Sequence, residues 1–311
     1  MLGYIRSRLI QLIPVLFIVS VIIFFIMHAL PGDPAMLMLM GAEGGSVTPE
    51  RIAELRTHMG LDDPLYVQYF RFMVGAVRGD LGESIRLRAP VSEIIMERFG
   101  STLQLSLVGL GFSVIFGLAL GILAALKPNS WIDFFSMIFA YVGVSMPIFW
   151  LGLLLILLFS FQLDWFPPAG GEGWNALVLP GITIGLASAG IISRLTRSGL
   201  IEVFNEDYIR TARAKGIEEW KLISRHAMKN ALIPVVTIVG LQFGSMMAGA
   251  VVTETVFSRP GLGRLIVSAI LWKDYPLVQG TVLFMALLYV GANLMVDISY
   301  AYIDPRIHYN K

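Results

Sequence analysis

Long uncharged runs of apolar residues alternate with polar segments along the chain of 311 residues. A helix needs about 20 mostly apolar residues to cross the hydrocarbon core of a bilayer. Six runs reach or approach that length, and they cover 9–30, 103–126, 134–161, 177–193, 231–253 and 276–296. The pattern therefore predicts an all-α integral membrane protein with six transmembrane helices.

Two of the six runs depart from the usual length. Run 134–161 is long enough to tilt or to project from the bilayer. Run 177–193 is short, but it continues through Arg194 and Arg197, whose long stems can carry their charges to the interface. We interpret each run as one span, in which the prolines mark points of kinking or capping.

Composition agrees with a membrane protein and removes several alternatives. Hydrophobic residues make up 56% of the chain and charged residues 14%, against about 45–50% and about 25% in soluble domains. The chain has no cysteine, which excludes a disulfide framework and a cysteine nucleophile. Its net charge of +1 argues against nucleic-acid binding. Run 9–30 is too long for a cleaved signal peptide, so we expect an uncleaved anchor.

The lysines and arginines between the runs predict the orientation. With the N-terminus inside, the inner segments 1–8, 127–133, 194–230 and 303–311 hold 2, 1, 8 and 2 basic residues, or 13. The short outer segments 162–176 and 254–275 hold 0 and 3. Both termini are therefore predicted to be cytoplasmic. The chain then divides into 1–30 (tail and first span), the extracytoplasmic insert 31–102, and the core 103–311, which holds the other five spans and a cytoplasmic loop at 200–230.

Capping signals predict short helices outside the spans. In the outer insert, Thr48 and Pro49 should begin a helix that ends near Gly60, and Pro64 should begin a second that ends near Gly79. A third should start at Pro90 and feed the second span. In segment 254–275, a turn should be followed by about ten residues of helix, which is too short to cross a bilayer.

The cytoplasmic segment 194–230 carries the most informative pattern. Glu206 and Asp207 favour a helix N-terminus, Arg213 and Lys215 favour its end, and Gly216 suits the position just after a helix. A second helix should run over 218–230. We expect a rigid cytoplasmic projection of two charged helices, none of it buried by the spans.

Several short motifs occur in a specific order along the chain. They are Leu30-Pro31-Gly32-Asp33-Pro34, Gly60-Leu61-Asp62-Asp63-Pro64-Leu65-Tyr66, Gly79-Asp80-Leu81-Gly82-Glu83-Ser84, Asp207-Tyr208-Ile209-Arg210-Thr211-Ala212-Arg213-Ala214-Lys215-Gly216, Lys229-Asn230-Ala231-Leu232-Ile233-Pro234 and Arg259-Pro260-Gly261-Leu262-Gly263. With these motifs the chain resembles, over essentially its whole length, a permease subunit of a bacterial ATP-binding-cassette (ABC) importer. It is most similar to the first permease of the dipeptide, oligopeptide, nickel and glutathione uptake group.

The resemblance implies a type I ABC importer permease fold and a cytoplasmic coupling loop that docks on an ATPase. The family's Glu-Ala-Ala…Gly pattern falls on Arg210, Thr211, Ala212 and Gly216, so only the last Ala and the Gly match literally. The expected coupling residues are Glu206, Asp207, Arg210, Thr211, Ala212, Arg213, Lys215 and Gly216. The implied partners are a second homologous permease, two ATPases that bind ATP and Mg, and an extracytoplasmic solute-binding protein, assembled at the bacterial inner membrane.

Three other functions are weaker interpretations of the residues. The chain has no Gly-x-x-x-x-Gly-Lys-Ser/Thr, so it is not expected to hydrolyse ATP itself. An intramembrane protease built on Ser145 would need a histidine base at the same depth, and only His28 lies in a span, at its outer end. An ion-coupled carrier would place ionisable residues inside the spans, where Asp297 is the one exception.

The translocation path has few candidates, because the spans contain few polar residues. We expect Ser145, Pro147, Gln242 and Asn293 to lie along it, and we expect neither a metal site nor a cofactor in this chain. Gly-x-x-x-Gly pairs at 117/121, 181/185 and 240/244 predict close helix packing. The substrate stays open among peptides, glutathione, nickel complexes and similar solutes.

Overall fold

A computed structural model describes residues 2–29, 33, 35, 36, 39, 48–171 and 173–303. Most of the motif at 30–34 and of the terminal segment 303–311 lies outside these residues. The helices are α1 (Leu2–Ala29), α2 (Pro49–Met59), α3 (Leu65–Val77), α4 (Val91–Leu126), α5 (Trp131–Ser145), α6 (Ile148–Leu155), α7 (Asn175–Phe204), α8 (Asp207–Ala214), α9 (Glu219–Leu222), α10 (Met228–Ala231), α11 (Ile233–Val256), α12 (Leu262–Leu271) and α13 (Tyr275–Ile303). π-helical segments Ile156–Gln162 and Ile223–Ala227 follow α6 and α9.

Five helices of the described chain are long and apolar enough to cross a membrane, and a bent pair makes a sixth. The five candidate spans are Ile10–Ala29, Val91–Leu126, Asn175–Phe204, Ile233–Val256 and Tyr275–Val296. Each contains or largely overlaps one of the predicted runs. The hydropathy pattern was therefore sufficient to find these helices.

The third predicted span is not one straight helix. It consists of Trp131–Ser145 and Ile148–Gln162, whose axes differ by 113°. Met146 between them is extended, with φ −77° and ψ 132°, because a residue before proline is sterically disfavoured in the helical region. Pro147 then caps α6, and its carbonyl accepts from the backbone N–H of Leu151 at 3.0 Å. The predicted role of Pro147 as a point of kinking or capping is therefore confirmed, and the run is a bent pair of helices rather than one tilted helix.

The fourth span is longer than predicted and is the most enclosed candidate span. Within Asn175–Phe204, 72% of the most apolar window is buried, against 17–39% in the other unbroken spans. Close glycine contacts with α4 explain part of this burial. A Cβ at Gly117 would lie 2.7 Å from Ile192, and a Cβ at Gly185 would lie 2.5 Å from the carbonyl oxygen of Gly109. The predicted close packing at these glycines is confirmed.

The chain forms two compact units, of which one contains 1–102 and 260–290. The predicted bounds of the first short helix are confirmed: Thr48 precedes α2 with Pro49 first, and Gly60 ends it at φ +65°. The Thr48 side chain itself makes no capping hydrogen bond. A side chain at Gly60 would also collide with the Arg71 guanidinium. The core of this unit is apolar and comprises Met27, Val91, Ile94, Ile95, Leu262, Leu265, Ala269, Tyr275, Leu277 and Val278.

A buried carboxylate ties the loop between α3 and α4 to the residue before α13. Asp274 is fully buried. It accepts hydrogen bonds from the Ser84 hydroxyl at 2.6 Å and from the backbone N–H groups of Arg86 and Leu277 at 2.9 and 3.2 Å. Donors from two chain segments therefore satisfy one side chain, as a buried charge requires.

The other unit contains 103–259 and 291–311. Here α7 packs against α5, α6, α10 and α11. The sequence did not predict one polar contact of this unit: Arg197 of α7 pairs with Asp133 of α5. The distances are 2.5 Å from Nε to Oδ1 and 2.6 Å from Nη2 to Oδ2.

Candidate functional site

The first arm of the projection predicted over 200–230 is α8, a helix of eight residues. Glu206 precedes it in an extended conformation, with φ −69° and ψ 145°, and Asp207 lies in its first turn. Gly216 follows Lys215 with φ +75°. The backbone N–H groups of Gly216 and Ile217 bond to the carbonyls of Arg213 and Ala212 at 2.9 and 3.3 Å, which closes the helix end. The predicted helix and the left-handed glycine are both confirmed.

One face of α8 is buried, which was not expected. Ile209 is fully buried and Ala212 is 8% exposed. Both belong to an apolar cluster with residues of five other elements, namely Ala125, Leu200, Leu222, Ala227 and Ala231. Ala125 and Leu200 lie in candidate spans. The expectation that the spans bury none of this loop was therefore wrong. Ile209 and Ala212 are three residues apart, so both lie on the side of α8 that packs into this cluster.

The opposite face of α8 is exposed and charged. Here Arg210 lies 3.8 Å from Asp207, and the Thr211 hydroxyl donates to the Asp207 carbonyl at 2.9 Å. Arg213 pairs with Glu219 of the second arm, with Nε 2.6 Å from Oε1. The hydrogen bond to Glu219 raises the pKa of Arg213, so its charge is secure at any physiological pH. Seven of the eight predicted coupling residues therefore lie on the exposed side, and Ala212 lies on the buried one.

The second arm is interrupted, whereas the sequence predicted one helix over 218–230. It consists of α9, a π-helical turn at Ile223–Ala227, and α10. Leu222 and Ala227 from this arm enter the same apolar cluster as Ile209. Asn230 donates to the Tyr208 hydroxyl at 2.9 Å, which ties the second arm back to α8. Trp220 is 75% exposed. The result is a rigid two-armed projection with a charged and aromatic surface, suited to docking another protein.

The buried ion pair found by the structure lies in the same unit as this projection. The Asp133 side chain is 7% exposed, and that of Arg197 is 28% exposed. Asp133 also accepts from the backbone N–H of Asn129 at 2.9 Å. The pair joins α5 to the C-terminal part of α7, seven residues before α7 ends and the projection begins. The sequence carries no local signal for this pair, because its partners are 64 residues apart.

The four candidates for the translocation path occupy three places in this unit. Ser145 and Pro147 are exposed and flank the 113° bend. Gln242 in α11 and Asn293 in α13 are half-buried. No hydrogen bond joins any two of the four in the described part of the chain. Of the four, only Ser145 and Pro147 therefore lie together, on either side of the bend. The carbonyl oxygen of the Asn293 side chain is buried without a hydrogen bond.

The residues at these places offer no metal site. Among the described residues, no group of three or more histidine, aspartate or glutamate side chains could hold a metal ion. The projection presents ion pairs and an aromatic ring rather than a cradle for a small cofactor. Its chemistry is that of a protein-contact surface.

Comparison with known proteins identifies the family. The chain matches the "binding-protein-dependent transport system inner membrane component" family over 117–309, and the corresponding N-terminal family over 1–106. It is 46% identical to the glutathione transport system permease protein GsiC of Escherichia coli strain K12, over 99% of this chain and 100% of that one. The Salmonella paratyphi A protein of the same name is 45% identical over the same shares.

Solved structures of ABC transporters share the fold at low sequence identity. The MetNI methionine ABC transporter in inward-facing conformations matches with a TM-score of 0.58 and 16% identity, over 68% of this chain and 96% of that chain. An amino acid ABC transporter matches with a TM-score of 0.55 and 13% identity, over 68% and 94%. The comparisons support neither an ion-coupled carrier nor a protease. The chain therefore belongs to the binding-protein-dependent transport system inner membrane component family, as a permease subunit of an ATP-driven importer with the type I fold.

Proposed function

We propose that this permease translocates glutathione or similarly small peptides into the cytoplasm of a bacterial cell. The observation that carries the proposal is 46% identity along the full length of a permease named for glutathione transport. The similarity extends over both the N-terminal segment and the spans. Dipeptides and nickel complexes are the competing solutes of the same group.

Uptake in cells tests the substrate. A strain that lacks this gene is given labelled glutathione, a labelled dipeptide and labelled nickel in parallel. We expect glutathione or dipeptide uptake to fall, and a plasmid copy of the gene to restore it. Loss of nickel uptake alone would contradict a peptide-type substrate.

The projection formed by α8–α10 is proposed to be the contact with the ATPase subunits. Ile209 and Ala212 anchor α8 in the apolar cluster, while Arg210, Arg213 and Trp220 stay exposed. An element held on one side by the spans and open on the other is suited to pass a movement from a docked protein to the membrane helices. Glu206, Asp207, Thr211, Lys215 and Gly216 complete this proposed coupling surface.

A second homologous permease is proposed to complete the translocation path. Six spans are too few to surround a peptide-sized solute, and most candidate spans are less than half buried within this chain. Ser145, Pro147, Gln242 and Asn293 are the proposed path residues. Two ATPases would bind ATP and Mg on the inside, and a solute-binding protein would deliver solute from outside.

The proposed mechanism is alternating access in the bacterial inner membrane, with both termini cytoplasmic. Closure of the ATPases on ATP displaces the projection, the cluster around Ile209 transmits the displacement to α4 and α7, and the path opens outward. Hydrolysis on the partner subunits resets it. This chain contributes the path and the coupling surface rather than a catalytic group.

A further inference from the structure

A cavity of about 320 Å³ lies within the unit formed by 1–102 and 260–290. Its lining comes from α1, α3, the loop at 80–85 and the start of α13. The volume is at the lower end of the range of about 300–1,000 Å³ that small-molecule sites occupy. The proposed path residues and the cytoplasmic projection all belong to the other unit. The cavity is therefore not part of either proposed site.

Gln279 is a largely buried residue whose amide opens onto this cavity. Its side chain lines the cavity, and the residue is only 6% exposed. Among the described residues, nothing forms a hydrogen bond with its amide. An amide that opens onto a cavity without a protein partner is expected to bind water or a ligand group. An amide offers both a donor and an acceptor, which suits a peptide group.

The other amide of the cavity wall is fully engaged by the protein. Gln68 donates from Nε2 to the carbonyls of Leu61 and Asp63, at 3.0 and 2.8 Å. Its Oε1 lies 3.1 Å from Nε2 of His28. These contacts hold α3 against the end of α1, so the wall is preorganised. The difference between the two glutamines singles out Gln279 as the group that is left for a ligand.

Charges of both signs and the aromatic rings of Phe24, Phe72 and Tyr275 also line the cavity. Arg71 and Asp80 both border the cavity. Arg71 also pairs with Asp63 at 2.7 Å, and Asp80 accepts from the backbone N–H of Gly82 at 2.9 Å, so both charges are held in place. Phe24 and Phe72 are stacked at 6.4 Å and add an apolar wall. The combination matches a small solute with separate positive and negative ends and an apolar part.

We propose that this cavity binds a zwitterionic dipeptide or amino acid, with Gln279 on its peptide or amide group. The guanidinium of Arg71 faces the carboxylate of the solute, and the carboxylate of Asp80 faces its ammonium group. The choice of a peptide-like solute rests on the proposed function. The site goes beyond it, because it would hold solute on the permease outside the proposed path.

The test is a binding measurement without ATP. The full-length chain is purified with the subunits that assemble with it, placed in nanodiscs without the solute-binding protein, and titrated with the dipeptide Ala-Phe. The first comparison is N-acetyl-Ala-Phe-amide, which keeps the side chains but loses both charges. The second comparison is Gln279→Leu, matched by Gln104→Leu, the same change at an exposed glutamine of the other unit.

We expect Ala-Phe to bind. The blocked analogue should bind at least about tenfold more weakly, because removing charge-assisted contacts costs at least that much. Gln279→Leu should weaken Ala-Phe binding about tenfold, and Gln104→Leu should not. No binding of Ala-Phe, or equal binding of the blocked analogue, would overturn the site even if Gln279→Leu misfolds. ATP-driven peptide uptake is measured separately, so that failure of the site and failure of the proposed function can be distinguished. Peptide uptake without binding of Ala-Phe to the cavity counts against the site alone. Binding of Ala-Phe without any peptide uptake counts against the proposed function alone.

Discussion

Arg213 and Glu219 form an ion pair that spans the left-handed turn at Gly216. Nε lies 2.6 Å from Oε1, and Nη2 lies 3.4 Å from Oε2. The Arg213 guanidinium also lies 5.7 Å from the ring centroid of Phe204, the last residue of α7. One side chain therefore connects three elements: α7, the first arm of the projection and the second arm. The angle between the two arms is maintained by this pair together with the backbone of Gly216.

The ion pair predicts the behaviour of charge variants. Arg213→Glu places two like charges across the turn and should loosen the second arm, whereas the swap Arg213→Glu with Glu219→Arg should restore it. Because the pair is partly exposed, its contribution to stability is only about 0.2–1 kcal/mol. We therefore expect normal membrane levels but lower ATP-dependent uptake for the single variant. Uptake that is equally reduced in the swap would show that Arg213 acts through a partner protein instead.

The buried pair between Asp133 and Arg197 predicts a larger effect on stability. Arg197→Met leaves a carboxylate with 7% exposure without its partner, which costs about 3–5 kcal/mol. Adding Asp133→Asn removes the isolated charge and should recover a large part of the loss. Thermal unfolding of the purified complex measures both variants. If Arg197→Met melts at the wild-type temperature, the pair does not stabilise α5 against α7.

The core position Ile209 predicts that α8 depends on its anchoring. Ile209→Ala removes methyl groups from a fully buried site and should destabilise the local structure by about 2–5 kcal/mol. Limited proteolysis should then cut the segment 205–230 faster, while the spans stay intact. A matched change at an exposed position, Arg210→Ala, should leave the cutting rate unchanged. Equal protection of both variants would contradict the burial of Ile209.

The predicted orientation is tested by labelling, because the natural chain has no cysteine. Single cysteines replace Glu50, in the first turn of α2, and Trp220, which is 75% exposed in the second arm. A membrane-impermeant maleimide added outside should label position 50 in intact cells and position 220 only after lysis. Labelling of position 220 from outside would reverse the topology.

The sequence was sufficient wherever the determining interactions are local. Hydropathy located the candidate spans, and Thr48, Gly60 and Gly216 marked helix ends because capping and left-handed backbone depend on neighbouring residues. It was insufficient where distant side chains decide. The pairing of Asp133 with Arg197 joins residues 64 positions apart, and the burial of Ile209 depends on Leu200 and Ala125. The bend at Met146 combines both cases: Pro147 was recognised as a breaker, but the angle depends on packing of the two halves.

The same distinction between local and distant interactions applies to the candidate residues. Gly216 was placed correctly by its residue type and its position after Lys215. Ala212 was grouped with the coupling residues by family pattern, yet its short side chain faces the apolar cluster and anchors the helix. Gln279 had no signal at all in the sequence, since a single glutamine in an apolar run gives no indication of the cavity that it lines.

The central claim is that the projection turned by Gly216 couples this permease to its ATPases. Gly216→Val tests it most directly. At φ +75° a β-branched residue costs about 1–3 kcal/mol of local strain. Among the described residues, no atom lies within 4 Å of the added Cβ. The variant therefore changes the turn rather than the packing. Gly173→Val is the matched control, since Gly173 has φ +88°, is exposed, and is equally open around its Cβ.

The decisive measurement is ATP-dependent solute uptake together with co-purification of the ATPases, for both variants at equal membrane levels. We expect Gly216→Val to lose most of its uptake, its bound ATPases or both, and Gly173→Val to keep both near the wild-type level. Wild-type uptake and full ATPase recovery in Gly216→Val would contradict the assignment of the projection as the coupling element.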